Sequence, residues 1–282
     1  IIEEGRGESG GGRRPVCLGI YGKAALALGA EFSRNQVRIS VTDMMGGIID
    51  QQEWPMDMTD PEEGIQKFSK KVNSLLSELK LKNQVILGLG VATSGLYDYH
   101  LEKIQRSVNL GKGWNHFNIV KSLEAKIDLP IRVENNAKAC ALAEYWLKKK
   151  KKIGDLVWIH LGEGISAGVI QKGELLRGRS NYSGEIGHIS LEPQGELCNC
   201  GNQGCLEAYW GWQGIKKRLV KDGFFEKAKL DPDKFQMKDW AALVEQGDPY
   251  VTQLVEEMGK GIGKVSAQII NLLNPSRIFF GG

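Results

Sequence analysis

The chain has no apolar run long enough to cross a membrane. A membrane-spanning helix needs roughly 20 predominantly apolar residues, and no stretch of the 282-residue sequence approaches that length. The first residues also lack the charged and then apolar layout of a secretory signal peptide. We therefore expect a cytoplasmic protein without a membrane partner.

The net charge of the chain is also small. With 37 Lys and Arg against 34 Asp and Glu, the formal charge is only +3 at pH 7. Nucleic-acid binding needs clustered positive charge, so this average does not indicate it. The lysine run 148–152 is such a cluster, but cations also suit the C-terminal end of a helix, and we favour that interpretation over a binding patch.

Cysteine is sparse and unevenly placed. Five cysteines in a presumed cytosolic chain are weak evidence for disulfides. We interpret Cys17 and Cys140 as small buried apolar residues. The other three fall within eight residues, and such crowding indicates metal binding.

Three thiolates and one imidazole lie within eighteen residues, at His188, Cys198, Cys200 and Cys205. They suit the four positions of a closed, tetrahedral structural Zn²⁺ site, and soft sulfur ligands favour zinc over magnesium or calcium. Because four protein ligands leave no position for a reacting water, we expect this zinc to shape a loop and not to catalyse.

Apolar periodicity predicts strands and helices in alternation. Residues 24–49 alternate between strand-like stretches and turns, with Asp43 and Gly46 suited to a hairpin bend. Residues 61–80 have the spacing of an amphipathic helix that begins after Asp60. Further strands are predicted at 85–91, 131–133, 156–161 and 277–280, the first of them as a buried strand, and further helices at 137–147 and in two stretches after 238. This order implies an α/β architecture with two lobes.

Both ends of the chain carry weaker signals. Residues 1–15 are glycine-rich and mostly polar before the apolar run 16–21. Composition favours a disordered linker, although two short extended segments around a basic tip also fit. At the other end, a strand leads directly into Gly281 and Gly282, so we expect the chain to be truncated there.

One segment carries a family signature. Gly184-Glu185-Ile186-Gly187-His188, followed by Cys198-x-Cys200-Gly201-x-x-Gly204-Cys205-Leu206-Glu207, resembles the signature of the ROK family, which joins bacterial sugar kinases with sugar-responsive repressors. The motifs at 134–137, 162–165 and 274–282 support the resemblance over nearly the whole chain.

The resemblance implies an actin-like, ribonuclease H-like fold of two α/β lobes with a sugar in the cleft between them. It divides the chain into a wing and linker remnant of a winged helix-turn-helix (1–21), an N-terminal lobe (22–132) and a C-terminal lobe with the zinc loop (133–282). The residues that it implies around the sugar are Ser94, Gly95, Asn135, Asn136, Glu185, His188 and Glu207.

Several of these residues also have plainer interpretations. Glu185 and Glu207 could be surface carboxylates, and Asn135 could be a helix N-cap, a role that does not exclude contact with a ligand. His188 would bind zinc through one ring nitrogen and present the other to a sugar hydroxyl, so that the ion fixes the tautomer of the ring.

The sequence departs from the family's kinases at three places. Asn136 stands where the kinases have an aspartate as general base, and an amide has no usable basicity near neutral pH. The stretch 31–36 replaces a glycine-rich phosphate loop with no glycine at all, and Glu163 stands in the second phosphate turn, where its charge would repel ATP. We therefore expect no catalytic residue and no enzymatic activity.

A protein that binds a sugar without consuming it suits a sensor. The stretch 5–18 resembles the wing and junction of ROK repressors, where Arg13 and Arg14 would contact DNA. We predict a sugar-responsive repressor of carbohydrate metabolism, nearest the xylose and N-acetylglucosamine repressor type, acting on operator DNA as a homodimer or tetramer. An ATP-dependent sugar kinase is the alternative, and a sugar-binding protein that has lost both roles is a third.

Overall fold

A computed structural model describes residues 1–7, 11, 13–81, 83–147 and 154–282 of the chain. The chain folds into two compact units, residues 1–136 (unit 1) and 137–282 (unit 2). The lysine run 148–152, for which we predicted a helix end, lies outside the described residues.

Unit 1 is built around a mixed sheet. Its strands are β1 (Ile2–Arg6), β2 (Val16–Gly19), β3 (Leu26–Phe32), β4 (Gln36–Asp43), β5 (Ile48–Pro55), β6 (Ile86–Thr93), β7 (Leu96–Asp98), β8 (Lys103–Arg106) and β9 (Ile131–Asn135), and its α-helices are α1 (Pro61–Leu81) and α2 (Ile119–Glu124). The five-stranded sheet has the order β5-β4-β3-β6-β9, in which β3 pairs antiparallel with β4 and parallel with β6. The core of the unit includes Phe32 and Phe68, whose rings meet edge to face at 4.9 Å.

Two local predictions in unit 1 are confirmed. The side chain of Asp60 caps α1 by accepting a hydrogen bond from the amide of Glu63 at 2.9 Å. Asp43 forms the predicted bend between β4 and β5, where its Oδ1 accepts hydrogen bonds from the amides of Met45 and Gly47, both at 2.8 Å.

Three expectations about burial and order are wrong. The predicted buried strand exists as β6, but Val85 and Leu87 are 58% and 51% exposed. Leu87 lies at a shift of register between β3 and β6, where Leu26 pairs with Ile86 but Leu28 pairs with Leu89, and such an irregularity interrupts the alternation of side chains between the two faces. Where composition favoured a disordered linker, β1 (Ile2–Arg6) and β2 (Val16–Gly19) pair antiparallel, so the alternative of two extended segments is confirmed for the described residues. Cys17 lies on this hairpin and is exposed, because a two-stranded ladder buries little of either face, and Cys140 is only partly buried.

Unit 2 repeats the strand pattern of unit 1. Its strands are β10 (Leu156–Leu161), β11 (Ile165–Gln171), β12 (Glu174–Leu175) and β13 (Arg277–Gly281), and its helices are α3 (Asn136–Leu147), which begins at the boundary, α4 (Leu206–Trp210), α5 (Trp212–Lys221), α6 (Phe224–Ala228), α7 (Met237–Glu245) and α8 (Pro249–Leu273). The sheet order is β12-β11-β10-β13, in which β12, β11 and β10 pair antiparallel and β13 pairs parallel with β10. In unit 1, β5, β4, β3 and β6 are arranged in the same way. This repeated order confirms the predicted ribonuclease H-like α/β fold class.

Apolar side chains of unit 2 join the sheet to two of its helices. Val157 and Ile165 of the sheet pack with Leu206 of α4 and with Val265 and Ile269 of α8. The predicted lobe boundary between 132 and 133 falls inside β9, whereas the structure divides the chain just after that strand. Among the described helices, none combines the length and the apolar character that a membrane span requires.

Candidate functional site

In unit 1, the residues predicted to contact a sugar lie where two parallel strands end. In the register of β6 and β9, Thr93 is paired with Asn135, and Ser94 and Gly95 follow β6 directly. Asn135 is 6% exposed, and its Nδ2 donates to the carbonyl oxygen of Gly95 at 3.3 Å. Strand pairing therefore brings Ser94, Gly95 and Asn135 together at one end of the sheet.

Ser94 has an unusual environment in this group. Its Oγ is shielded from solvent and has no hydrogen-bond partner within the described residues. Buried polar atoms are nearly always paired, because an unpaired one keeps the cost of its lost hydration. Asn136 follows at the first position of α3 and is partly buried.

In unit 2, the residues predicted to contact a sugar lie along β11. The segment 184–188 runs against this strand, and the amide of Ala167 donates to the carbonyl oxygen of Gly184 at 2.6 Å. A side chain at Gly184 would collide with the carbonyl oxygen of Ala167, and its φ of +91° also favours glycine. The close approach of this backbone to β11 places Glu185 beside the strand, and a 3-10 helix at Ile186–His188 then turns the chain.

Glu207 reaches the same strand from α4. Its Oε2 accepts a hydrogen bond from the amide of Ile165, the first residue of β11, at 2.7 Å. Glu185, His188 and Glu207 are therefore all gathered beside the start of β11. One oxygen of Glu207 has a structural role, while its contact with a ligand stays a prediction.

Glu185 is a partly buried carboxylate whose side chain is 31% exposed, and burial raises its pKa. The positive charges of His188 and Lys138 oppose this rise in pKa, and the negative charge of Glu207 adds to it. Its Oε2 lies 3.8 Å from His188 Nε2, which is too far for a hydrogen bond. Within the described residues no hydrogen bond to this carboxylate is present.

His188, Cys198, Cys200 and Cys205 come together as the sequence predicts. One ligand atom from each residue lies within 4.8 Å of all the others. Cys200 Sγ is 3.7 Å from Cys205 Sγ, and Cys198 Sγ is 3.6 Å from His188 Nδ1. A tetrahedral Zn²⁺ with bonds of about 2.3 Å to sulfur and 2.0–2.1 Å to nitrogen sets these separations at about 3.8 and 3.6 Å. The geometry and the donor atoms therefore both fit zinc.

The thiols of this cluster need a cation to ionise together. Burial, with the neighbouring thiols acting in the same direction, raises the pKa of Cys205 to about 12. Burial also raises the pKa of Cys198, whereas hydrogen bonds from the Asn202 backbone and from the other thiols lower that of Cys200. A divalent cation at the centre would supply the charge that holds three thiolates side by side.

Backbone pairing connects the cysteine loop to the carboxylates. Leu206 donates its amide to the carbonyl oxygen of Ile189 at 3.0 Å, and Leu191 donates to Gly204 at 2.8 Å. Gly204 has a φ of +71°, and a side chain there would collide with backbone. His188 and Cys205 are therefore connected in two ways. Both belong to the ligand cluster, and backbone hydrogen bonds link the residues that follow His188 to those on either side of Cys205. Glu185 and Glu207 lie close to these two residues in the chain.

The stretch 31–36, where the family's kinases carry a phosphate loop, forms the tight turn between β3 and β4. The carbonyl oxygen of Asn35 accepts a hydrogen bond from the amide of Met56 at 3.0 Å, and that of Arg34 accepts one from Met58 at 2.8 Å. In the second turn, the amide of Gly162 donates to Gly164 at 3.1 Å, and Glu163 is exposed.

The predicted DNA-contacting residues lie in the connection of the N-terminal hairpin. Arg13 and Arg14 are both exposed and immediately precede Pro15, whose carbonyl oxygen accepts a hydrogen bond from Gly7 at 2.9 Å. This bond closes the connection between β1 and β2.

Two buried polar residues of unit 2, close to Glu185 in the chain or in space, were not predicted from the sequence. Lys138 in α3 is 2% exposed and Asn181 is 4% exposed, and the two are hydrogen bonded to each other. The available signal was a lone lysine on a face of α3 that is otherwise lined by Ala137 and Ala141.

Relatives that are similar in sequence over the whole chain include a repressor and a transcriptional regulator. The chain is 26% identical over 287 residues to the xylose repressor of Caldicellulosiruptor bescii, which covers 100% of this chain and 71% of the relative. It is 27% identical over 285 residues to the DNA-binding transcriptional dual regulator NagC of Escherichia coli, which covers 100% of this chain and 69% of the relative.

Solved structures with the same fold include a regulator and a kinase. A ROK family transcriptional regulator, a homologue of the E. coli MLC protein, superposes with a TM-score of 0.81 at 24% identity and covers 95% of this chain and 68% of its own. A ROK family glucokinase from Streptomyces griseus, in complex with glucose and AMPPNP, has a TM-score of 0.75 at 24% identity, with coverage of 92% and 83%. These likenesses establish the fold.

The family itself follows from the match over most of the chain. The sequence model of the ROK family matches residues 27–282, which contain both sheets and the cysteine loop. This chain belongs to the ROK family.

Proposed function

We propose that this chain is the effector-binding part of a sugar-responsive transcriptional repressor and that its effector is a monosaccharide. The named relatives that align with the whole chain are a xylose repressor and the regulator NagC. The observation that carries the proposal is the Glu185 carboxylate, which is partly buried beside His188 and makes no hydrogen bond within the described residues.

Sugar hydroxyls are suitable partners for such groups. A carboxylate accepts hydrogen bonds from vicinal hydroxyls, and the shielded Oγ of Ser94 can donate or accept one. Leaving a buried polar group unpaired costs about 1–3 kcal/mol, so a ligand that pairs with these groups recovers that free energy. The amides of Asn135 and Asn136 and the carboxylate of Glu207 would complete the polar set.

Zinc would act in this proposal as a brace. Held by His188 and the three cysteines, it would fix the ring of His188 with Nδ1 toward the metal and Nε2 toward Glu185. A sugar hydroxyl placed between Nε2 and the carboxylate could hydrogen bond to both, which would explain their separation of 3.8 Å.

Asn136 and the turn at 33–35 favour a sensor over a kinase. The amide of Asn136 cannot accept the proton of an attacking hydroxyl, and losing a general base typically costs 10²–10⁴-fold in rate. In the turn at 33–35, the amide of Ser33 already donates to the carbonyl oxygen of Gln36 at 3.0 Å, whereas a phosphate cradle presents free amides.

Calorimetric titration tests the sugar proposal. We expect at least one of D-xylose, D-glucose and N-acetyl-D-glucosamine to bind the zinc-loaded protein, and the variant Glu185→Gln to weaken binding about tenfold, because an ionised acceptor bonds more strongly than a neutral one. An exposed carboxylate of the same unit provides the control, and Glu174→Gln should leave the affinity unchanged. If none of the three sugars binds at millimolar concentration, the proposal is wrong.

A sugar kinase is the second candidate, because the S. griseus glucokinase has the same fold. A coupled assay for sugar-dependent ADP formation separates the two functions. Turnover that Asn136→Ala abolishes would establish the kinase and overturn the sensor, while sugar binding without turnover supports the sensor.

The DNA partner is also a proposal. Exposed Arg13 and Arg14 would contact operator DNA phosphates in the cytoplasm, and a homodimer would present two such pairs of arginines and a homotetramer four. With the full-length protein, Arg13→Ala should weaken DNA binding and lower the slope of log K against log salt by about 1. Sedimentation would give the oligomeric state, and added sugar should change the affinity for DNA.

A further inference from the structure

Lys138 is a buried lysine to which the proposed function assigns no role. It occupies the first turn of α3 and is only 2% exposed. Lysine is almost never fully buried unless it is paired, because removing an ammonium group from water costs several kcal/mol. A lysine in this position therefore requires local partners that offset its desolvation.

Asn181 supplies two of those partners. Lys138 Nζ donates to the backbone carbonyl oxygen of Asn181 and, at 3.2 Å, to its side-chain Oδ1. Arg177 also donates to that Oδ1 at 3.2 Å, so two cations converge on one amide oxygen. Asn181 has a φ of +62°, a left-handed conformation that asparagine tolerates better than most residues. These bonds join α3 to a segment 43 residues further along the chain.

The anchored segment leads directly to Glu185. Only three residues separate Asn181 from Glu185, and Gly184 among them is hydrogen bonded to β11. Lys138 is also close enough to Glu185 for its charge to lower the pKa of that carboxyl. The lysine thus acts on Glu185 both through the chain and through its charge.

We propose that Lys138 is the positioning residue for Glu185, and that it holds the carboxylate ready for a sugar by anchoring Asn181 and by supplying a buried counter-charge. This role rests on the proposed function, in which Glu185 contacts the sugar. Without the lysine, residues 181–185 have more conformations to lose on binding, and the carboxylate has less compensation for its burial.

The test begins with Lys138→Met, which keeps the length of the side chain and removes its charge and its donors. Sugar affinity is measured by calorimetry with whichever of D-xylose, D-glucose and N-acetyl-D-glucosamine binds the wild-type protein most tightly. We expect a loss of about tenfold, with zinc content unchanged. The matched control is Lys217→Met, which removes an exposed helical lysine of the same unit and should leave the affinity as it is.

A double-mutant cycle separates positioning from a general structural role. If Lys138 acts through Glu185, Lys138→Met should cost less than about threefold in a Glu185→Gln background. An equal loss in both backgrounds would overturn the proposal, because a structural defect would weaken binding whichever residue occupies position 185. So would wild-type affinity in Lys138→Met alone.

A second variant covers the case in which Lys138→Met does not fold. Asn181→Gly keeps the left-handed backbone and its carbonyl oxygen but removes the Oδ1 that Lys138 and Arg177 share. We expect a smaller loss, about threefold, that again disappears in the Glu185→Gln background; unchanged affinity in Asn181→Gly would count against anchoring. Failure of the wild type to bind any of the three sugars would instead overturn the proposed function itself.

Discussion

The clearest prediction concerns Ser94, whose removal should affect the free protein and the complex in opposite directions. In the free protein its Oγ is shielded and unpaired within the described residues. The variant Ser94→Ala deletes that oxygen and leaves the backbone of the β6 end in place. If a sugar hydroxyl is the missing partner, the Ser94 hydroxyl destabilises the free protein, whereas in the complex it stabilises the bound sugar through a hydrogen bond.

The magnitudes follow from the cost of an unpaired hydroxyl. Leaving such a group buried costs about 1–3 kcal/mol, so its deletion should stabilise the free protein by about 1 kcal/mol, or about 2–4 °C in Tm for a chain of this size. In the complex the variant loses one hydrogen bond and leaves a sugar hydroxyl unpaired, which costs about 1–2 kcal/mol. Because stabilising the free protein also weakens binding, the two effects add to about 2–3 kcal/mol of binding free energy, which corresponds to a rise in Kd of about thirty- to 150-fold.

Two measurements and one control decide the outcome. Differential scanning calorimetry without sugar gives the change in Tm, and isothermal titration with the bound sugar gives Kd. Ser69 in α1 is 3% exposed and its Oγ is also unpaired within the described residues, so Ser69→Ala should raise Tm similarly and leave Kd unchanged. A stabilised Ser94→Ala protein with wild-type sugar affinity would refute the assignment of Ser94 to the sugar.

Three further changes test other parts of the structure. Replacing Cys205 by Ser removes one of the four ligands, so zinc content, measured by a colorimetric chelator, should fall well below one per chain and Tm should fall with it. Gly184→Ala places a side chain against a β11 carbonyl at positive φ and should cost more than about 2 kcal/mol in urea unfolding, whereas Gly259→Ala meets open space and should be neutral or mildly stabilising. A hydrogen bond from Arg218 holds the pKa of Asp222 below its usual range. The ionised carboxylate therefore stabilises the folded protein at neutral pH, and this stabilisation is lost as the pH falls through the lowered pKa. Asp222→Asn should make the free energy of unfolding, measured in urea, depend less steeply on pH at the acid end.

Local patterns predicted the metal cluster well. Its four ligands lie within eighteen residues, so their types and spacing carry most of the information that brings them together. The meeting of Gly95 with Asn135 was predictable in part, because residues that follow parallel strands collect at one end of a sheet. The pairing of β6 with β9 that makes them neighbours is a long-range fact of the fold.

Features that depend on tertiary packing could not be predicted from local sequence patterns. Lys138 and Asn181 are 43 residues apart, and no local pattern indicates that a lysine in a helix will be buried against an asparagine in a loop. The two extended N-terminal segments fitted the sequence but were not favoured, for a related reason: the cross-strand pairing of Ile2 with Gly19 orders a glycine-rich stretch whose composition alone favours a linker. The lack of a partner for Ser94 is likewise a property of the assembled unit.

Zinc and sugar should be thermodynamically coupled if both bind as proposed. His188 would contribute to both sites, and Cys205 immediately precedes α4, whose Glu207 is hydrogen bonded to β11. Removing the metal would free the His188 ring and loosen the loop, so the apo protein should bind sugar more weakly. Linkage then requires the sugar to raise the affinity for zinc by the same factor, which competition with a chelator measures with and without sugar. Equal zinc affinity in both conditions would mean that the metal shapes the loop without contributing to recognition, and His188 would then lose its proposed double role.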